Sequence, residues 1–329
     1  MRFAVPTSTL PYQLISNFTM SNIVLQPSGI SGLALSMPPP GGSNSGSIVL
    51  FDTVHLVSNS IDVLVTTSLT FACHFCTIGP ATGATATSAS IYFSMTSGSL
   101  QANFSDCIFQ NNAVTNKSPL HFELYGTNEL ISVLFSGKSR FENNHLASGA
   151  SLASAFYFSV QYSNFLTLTL PQVTFQSNTN TNTNGGATLY VQCSSFCTNS
   201  NLTLDGSVFD NNQGYNYAAI MARQIGTIIW SNVVFHQNQV TQFTLAAAPI
   251  VYLQHTSTVD WQWDNLNITD NTGDIIGLAD NGQWLWSNSV IASNKVKTGV
   301  VLFKNTGLLA YQFTNLTFTG NGPFDPGTT

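Results

Sequence analysis

The sequence predicts an all-β fold, a parallel β-helix solenoid in which each coil contributes three short strands to a common core. Apolar and polar residues alternate in short runs, which is the pattern of a strand with one buried face. One such run recurs along the chain with an asparagine at a fixed distance, and no stretch has the periodicity of a helix. About 10–11 coils stacked ~4.8 Å apart would form a rod roughly 50 Å long.

The recurring unit is an apolar residue, here called the marker, that is followed three positions later by asparagine. The markers are Leu56, Phe109, Phe141, Phe175, Phe209, Phe235, Ile268, Ile291 and Phe318. From Phe109 onward, consecutive markers are 23 to 34 residues apart. This spacing is typical of a solenoid whose loops vary in length while its strands do not.

Aligning the coils on the marker places further apolar residues five and seven positions before it, with a polar residue between them. We therefore predict that like residues stack from coil to coil and fill a narrow core. The predicted core stack is Phe109, Phe141, Phe175, Phe209, Phe235, Trp263, Trp286, Phe313 and Phe318. The tryptophan pairs align with inward leucines of earlier coils, which favours a place in the core over an outward platform for sugars.

A second asparagine column lies three positions before the marker, at Asn232, Asn265, Asn288 and Asn315. Asparagine tolerates a left-handed backbone, so the column predicts a tight turn between two strands. Its amides are also placed to hydrogen-bond from coil to coil, as in other stacked asparagine ladders. We expect this structural ladder to face the inside of the turn.

The regular pattern begins near residue 47. Residues 1–46 are predicted to form one or two irregular N-terminal coils and a proline- and glycine-rich loop at 38–43. Residues 47–329 are predicted to form a single continuous solenoid. Neither end of the pattern has an evident helical cap, which favours a place within a larger assembly or a longer polypeptide.

The coil with an asparagine column at its tight turn resembles the right-handed parallel β-helix of pectate-lyase-like proteins. The segment containing Phe175, Asn178, Gly185, Gly186 and Ala187 is similar to repeats of the polymorphic outer membrane protein type. The likeness covers about residues 48–321 and implies a right-handed winding. Because that fold hosts enzymes, adhesins and structural fibres alike, the resemblance does not select a function.

Five cysteines leave at least one thiol unpaired within the chain: Cys73, Cys76, Cys107, Cys193 and Cys197. The last two flank a short loop, so they are candidates for a local disulfide. The first three are expected on successive coils, where one cross-coil disulfide is the favoured interpretation. Free buried thiols and a zinc site remain alternatives, although a second ligand pair for zinc is not evident.

The composition limits the chemistry. Charged residues are 7% of the chain, and a net charge of −6 with 8 Lys+Arg provides no basic surface for nucleic acid. The sequence has no run of about 18 apolar residues, so it predicts no membrane span. Glycoside hydrolysis needs two carboxylates at a defined separation, and we find no such catalytic set and no cofactor motif.

Two acidic features remain as weak candidates. The densest acidic group is Asp260, Asp264, Asp270, Asp274 and Asp280. Turn positions explain it better than a Ca²⁺ or catalytic cluster. His121 and Glu123 alternate on one strand face, with no further group joining them in the sequence.

Six Asn-x-Ser/Thr sequons mark sites for N-glycosylation. The candidate acceptors are Asn17, Asn103, Asn116, Asn201 and Asn267. Asn103, Asn201 and Asn267 align with outward strand positions. Asn315 carries the sixth sequon, and we expect it to stay unmodified because its column is predicted to turn inward.

These observations favour a secreted, glycosylated, non-catalytic structural protein that acts as a subunit of an extracellular fibre, appendage or wall assembly. The expected partners are further copies of itself or other subunits of that assembly, with glycans as a further class. An adhesin or glycan-binding module is the alternative interpretation, and a polysaccharide lyase or glycoside hydrolase is the third. We expect an extracellular or cell-surface location, no nucleic-acid partner and no membrane span.

Overall fold

The computed structural model describes residues 17–25, 33–37, 47–57, 60–65, 68–80, 89–114, 117–146, 152–183, 186–241, 249–296, 299, 301–305 and 309–323. Every regular element within these residues is a β-strand. The strands pair in parallel, each with the equivalent strand of the neighbouring coil. The predicted all-β parallel solenoid is therefore confirmed.

The first fifteen strands are β1 (Asn17–Leu25), β2 (Leu33–Met37), β3 (Ser47–Leu56), β4 (Ser60–Val65), β5 (Leu69–His74), β6 (Thr77–Ile78), β7 (Ser90–Met95), β8 (Gly98–Ser105), β9 (Ile108–Gln110), β10 (Ala113–Val114), β11 (Leu120–Ser136), β12 (Arg140–Glu142), β13 (His145–Leu146), β14 (Ala153–Pro171) and β15 (Thr174–Gln176). The others are β16 (Thr179–Asn180), β17 (Ala187–Asp205), β18 (Val208–Asp210), β19 (Gln213–Gly214), β20 (Ile220–Arg223), β21 (Thr227–Ser231), β22 (Val234–His236), β23 (Gln239–Val240), β24 (Pro249–Asp264), β25 (Asn267–Thr269), β26 (Asp274–Ala292), β27 (Lys295–Val296), β28 (Val301–Asn305), β29 (Leu309–Thr319) and β30 (Gly322–Pro323).

The marker residues lie directly over one another along the solenoid. Their ladder runs through Leu25, Leu56, Ile78, Phe109, Phe141, Phe175, Phe209, Phe235, Ile268, Ile291 and Phe318. A shorter ladder just after the marker strand was not predicted. It runs through Ala113, His145, Thr179, Gln213, Gln239, Thr272, Lys295 and Gly322. Within the described residues about eight coils are thus complete on every side, in place of the predicted 10–11.

The segment predicted to be irregular is partly built into the solenoid. Strand β1 pairs with β3, and β2 pairs with β4, both in parallel. The proline- and glycine-rich loop at 38–43 lies outside the described residues. No helix in the described part of the chain is long and apolar enough to cross a membrane.

The core is one continuous cluster of side chains stacked in columns. Marker phenylalanines stack nearly parallel on one another, for example Phe109 on Phe141 at 4.4 Å and Phe175 on Phe209 at 4.6 Å between ring centroids. Toward the C-terminus tryptophans occupy the column five residues before the marker, and Trp230 stacks on Trp263 at 4.7 Å. The four paired tryptophans at 261, 263, 284 and 286 are all buried, so they form core and not an outward platform.

Two members of the predicted core stack differ from the rest. Phe313 and Phe318 lie in register with Trp286 and Ile291, but they are 45% and 52% exposed. Both rings contact Trp286, at centroid distances of 6.2 and 6.5 Å. They belong to the last coil among the described residues, so no further described coil packs over them. The prediction of full burial was therefore wrong for these two, although their direction toward the axis was right.

Two left-handed backbone positions recur along the described coils and make their sharp corners. One lies three residues before the marker and includes all four asparagines of the predicted ladder, with φ between 50° and 55°. The other lies two residues after the marker, as at Asn111, Asn143, Ser177 and Asn211, with φ between 51° and 54°. Such values are uncommon outside glycine, and asparagine tolerates them best. The predicted asparagine turn is present, and a second turn of the same kind follows it.

The second corner directs the asparagine three residues after the marker into the core. These residues, which we call the inner asparagine ladder, are Asn112, Asn144, Asn178, Asn212, Asn238, Asn271, Asn294 and Asn321. In each coil the backbone N–H and Nδ2 both donate to Oδ1 of the next asparagine, as Asn144 does to Asn178 at 3.1 and 2.9 Å. Nδ2 also donates to the marker carbonyl of the preceding coil. The amides are thereby satisfied inside the core.

Candidate functional site: an outward tyrosine, histidine and glutamate cluster

A column of mainly aromatic residues lies on the outer face of the strands that follow the variable loops. Its successive members are Asp62, Tyr92, His121, Tyr157, Tyr190, Met221 and Tyr252. Because side chains alternate along a strand, their neighbours Phe93, Phe122 and Phe158 point into the core. The column thus forms a second stack outside the main core.

His121 is the buried centre of this column, with 3% of its surface exposed. The backbone N–H of Ser118 donates to Nδ1 at 3.2 Å, so the proton of the neutral ring lies on Nε2. Nε2 lies 3.3 Å from Oε1 of Glu123, near enough for an ion pair but not aligned for a good hydrogen bond. Burial, more than any other effect, lowers the pKa of His121, which keeps the ring neutral at neutral pH.

Glu123 collects the polar contacts of the cluster. Its Oε2 accepts hydrogen bonds from the hydroxyls of Tyr92, at 2.8 Å, and Tyr125, at 3.1 Å. The contact with His121 lowers the pKa of Glu123 most, burial opposes it, and the tyrosine hydroxyls lower it further, to about 2. The carboxylate is therefore ionised across the physiological range.

A lysine closes one end of the cluster. Nζ of Lys117 forms an ion pair with Asp62 at 3.1 Å and lies 3.5 Å from the ring centroid of Tyr92. Both charged side chains are partly exposed, so the pair is held at the surface. Burial and the nearby Glu123 raise the pKa of Tyr92 well above its usual range, so its hydroxyl remains a donor.

The ring faces in this column are turned toward one another. His121 stacks on Tyr157 at 4.3 Å, and Tyr157 stacks on Tyr190 at 5.0 Å with rings 2° from parallel. Only the ring edges of such a stack face outward. Residues of the adjoining loops, including Leu152 and Tyr217, pack against the column and form a small second hydrophobic cluster. The stack therefore mainly holds neighbouring coils together by ring packing.

Tyr125 differs from the other rings of the cluster. It is 49% exposed, and its hydroxyl is fixed by the bond to Glu123. A partly open aromatic ring beside an ionised carboxylate is an arrangement that suits polyhydroxylated ligands, which combine apolar and hydrogen-bonding surfaces. One carboxylate and a neutral histidine do not by themselves make the two-carboxylate set of a glycoside hydrolase.

The sequence identified His121 and Glu123 but missed the tyrosines that join them. A signal was present, because the short runs 91–93, 156–158, 189–191 and 251–253 each have tyrosine between two apolar residues. These runs follow loops of different lengths. A search anchored on the marker therefore does not align them.

The acidic group at 260–280 is not brought together. Asp260 accepts from Gln262 and Gln283, and Asp264 accepts from Ser287 and Asn288 at 2.7 and 2.8 Å. Asp270 faces His236, Asp274 is buried, and the side chain of Asp280 lies outside the described residues. Among the described residues, the group whose ligand atoms could share one metal ion contains cysteines and no carboxylate. Asp260 and Asp264 act as separate acceptors.

The five cysteines fall into two sets. Cys193 and Cys197 form a disulfide, the local pairing that their spacing indicated. Cys73 and Cys76 form the second disulfide within one coil, and Cys107 is a buried free thiol. The expected cross-coil bond is thus not the pairing observed. Cys73 and Cys76 lie on either side of one tight turn, which brings them together without a second coil.

The predicted asparagine ladder at 232, 265, 288 and 315, which we call the outer asparagine column, faces solvent. Asn265 donates to Asn232 at 2.7 Å and Asn315 donates to Asn288 at 2.9 Å, whereas Asn232 and Asn288 donate to aspartates. The inward direction predicted for this column, including Asn315, was therefore wrong. The continuous ladder is the inner one, six residues further along each coil.

The described sequons lie on strands whose side chains point alternately to solvent and to the core. Asn103 and Asn267 are exposed and Asn201 is partly exposed, while the middle residue of each sequon points into the core. Asn116 and the side chain of Asn17 lie outside the described residues. Asn315 is exposed as well, so its geometry gives no reason to exclude it as an acceptor.

None of the family models, curated proteins or solved structures compared with this chain matches it. The resemblance to pectate-lyase-like proteins and to polymorphic outer membrane protein repeats, and the right-handed winding that it implies, stay predictions from the residues.

Proposed function

We propose that the chain is a secreted, N-glycosylated, non-catalytic structural solenoid, a subunit of an extracellular fibre, appendage or wall assembly. The observation that carries the proposal is the unbroken core, in which one register of side chains and the inner asparagine ladder continue through every complete coil. Such a core makes a stiff rod, which is what a load-bearing or spacing element needs.

Two further features support an extracellular location. The chain has two disulfides, which persist in oxidising compartments and are rare in the cytosol. Among the described residues, four sequons have asparagines that are exposed or partly exposed, at positions 103, 201, 267 and 315, where a glycan would not disturb the core. The low charge of the surface is consistent with close lateral contacts between rods.

The test uses the full chain made in a secreting, glycosylating host. We expect sugar at Asn103, Asn201 or Asn267 by intact-glycopeptide mass spectrometry. We also expect filaments or rods joined end to end or side by side in electron micrographs of the purified material. A chain that stays monomeric at high concentration and carries no glycan would contradict the proposal.

The hypothesis that the protein is a polysaccharide lyase or glycoside hydrolase is tested in parallel. We expect no reducing sugar and no unsaturated product from acidic polysaccharides incubated with the protein. Activity that disappears in Glu123→Gln, with the fold retained, would replace the structural proposal with a lyase or hydrolase.

A glycan-binding module is the second candidate, and the exposed ring of Tyr125 beside Glu123 favours it. We expect binding on a glycan array to fall at least about tenfold in Tyr125→Ala, as loss of one stacking ring of about 1.4 kcal/mol implies. Tyr311→Ala is the matched control, because Tyr311 is a similarly exposed tyrosine on a different coil. Equal binding by both variants and the unmodified protein would exclude this site.

A further inference from the structure

The free thiol of Cys107 lies beside the Cys73–Cys76 disulfide. The three sulfur atoms lie within 4.8 Å of one another, and all three side chains are buried. Sγ of Cys107 donates to the carbonyl oxygen of Cys73 at 3.1 Å. The cluster is therefore a thiol and a disulfide held in contact by two neighbouring coils.

Cys76 and Cys107 occupy the same position in successive coils, two residues before the marker. The residues that follow them, Thr77 and Ile108, are direct strand partners. The N–H of Ile108 also donates to the carbonyl of Cys76 at 2.8 Å. Adjacent parallel strands are about 4.8 Å apart, which is within the Cα separation that a disulfide spans.

We propose that these cysteines form an intramolecular thiol–disulfide exchange site, in which Cys107 moves the disulfide from Cys73–Cys76 to a cross-coil Cys76–Cys107 bond. The Cys107 thiol loses its proton and its sulfur attacks Sγ of Cys76. The new bond forms as the Cys73–Cys76 bond breaks, and Cys73 leaves as a thiolate that takes up a proton. One thiol and one disulfide are present before and after, so no external oxidant or reductant is needed.

The two isomers constrain the chain differently. The observed bond joins residues three apart, whereas the exchanged bond joins residues 31 apart (107 minus 76) in neighbouring coils. A longer closed loop removes more freedom from the unfolded chain. The exchange therefore converts a disulfide within one coil into a disulfide between two coils. Burial raises the pKa of Cys107 to about 12, so the step is slow while the coils stay closed.

The first experiment maps the disulfides of the full oxidised chain over time at pH 8 without added thiol. Samples are quenched with acid, alkylated with N-ethylmaleimide, digested with pepsin and analysed by mass spectrometry. We expect the peptide pair containing Cys76 and Cys107 to grow to a plateau over hours, while the Cys193–Cys197 pair stays constant. Complete alkylation of Cys107 at every time point would overturn the proposal.

Two variants make the test specific. Cys107→Ser should retain Cys73–Cys76 alone, and serine suits this column because Ser139, Ser207 and Ser289 already occupy it in other coils. Cys73→Ala should fold with Cys76 bonded to Cys107 and a higher guanidinium chloride midpoint than Cys107→Ser. If Cys76 and Cys107 of that variant are both alkylated after oxidative folding, the cross-coil bond does not form. The wild-type time course decides the question if that variant fails to fold.

Discussion

The solenoid contains two columns of asparagines that share a residue type but lie in opposite environments. The inner asparagine ladder is buried through Asn294, and each amide donates and accepts within the protein. The outer asparagine column is exposed, and its amides bond in separate pairs or to aspartates. The outer asparagine column occupies one left-handed corner of the coil, and the inner ladder follows the other corner by one residue.

The difference shows that asparagine has a different role in each column. In the inner ladder, an amide without its partner would be left in a dry core, at about 1–3 kcal/mol for each unsatisfied group. In the outer asparagine column, water replaces any lost partner, so the amide matters little and the tolerance of a positive φ matters most. The two columns should therefore respond differently to the same substitution.

The largest effect is expected for Asn178→Ala in the middle of the inner ladder. The substitution removes the acceptor for the N–H and Nδ2 of Asn144 and the donor to the carbonyl of Phe141. We expect a loss of about 4 kcal/mol in the free energy of unfolding, measured from the guanidinium chloride transition followed by tryptophan fluorescence. A loss below about 1 kcal/mol would mean that the buried ladder does not hold the coils together.

A smaller effect is expected at the last member of the inner ladder. Asn321 accepts from the N–H and Nδ2 of Asn294 at 3.0 and 2.9 Å, but it is only partly buried. In Asn321→Ala water can reach the groups left behind, so we expect a loss of about 2 kcal/mol by the same measurement. Equal losses for this variant and Asn178→Ala would show that burial does not set the strength of the ladder.

The outer asparagine column should respond to backbone chemistry and not to loss of the amide. Asn265 has a φ of 53°, so Asn265→Ala is expected to lose about 1 kcal/mol and Asn265→Gly about 0 kcal/mol. Thermal unfolding of the two variants side by side measures the difference. A large loss that is equal in the two variants would mean that the hydrogen bond from the Asn265 amide to Asn232 dominates.

The smallest effect is a dependence on pH confined to the outer turns. Hydrogen bonds from Ser287 and Asn288 lower the pKa of Asp264, and those from Ser231 and Asn232 lower that of Asp205. A lowered folded pKa gives stability that is present above the unfolded value of about 3.9 and is lost as pH falls through the folded value.

The unfolding midpoint, measured at a series of acidic pH values, tests this contribution of Asp264 and Asp205 to stability. We expect a small loss below about pH 4 that is reduced in Asp264→Asn. The inner ladder has no titratable group, so Asn178→Ala should lose the same stability at pH 3 as at pH 7. A penalty for Asn178→Ala that changes with pH would contradict the separation of the two columns.

Much of the fold was predictable because the marker column repeats with its inward neighbours five and seven residues before it. The role of the inner ladder was not predictable in the same way. Both asparagine columns recur at fixed distances, and only the left-handed residue two positions after the marker decides which column enters the core. That position holds Asn111, Asn143, Ser177 and Asn211 in successive coils, so no single residue type marks it.

The candidate site was less predictable than the fold. His121 and Glu123 are neighbours on one strand, so alternation alone placed them on one face. Tyr92 and Tyr157 come from adjacent coils, after loops whose lengths differ, and only the strand register brings them to His121. The disulfide at Cys73 and Cys76 was missed because the tight corner between them was not recognised as a bridge within one coil.

The most direct test of the account is hydrogen exchange of asparagine side-chain amides by nuclear magnetic resonance in the intact, isotopically labelled chain. We predict that the Nδ2 protons of Asn144, Asn178 and Asn212 exchange slowly, as buried donors do. We predict fast exchange for Asn265 and Asn288 in the outer asparagine column. Equally fast exchange in both columns would contradict the claim that the chain winds around a core closed by buried asparagines.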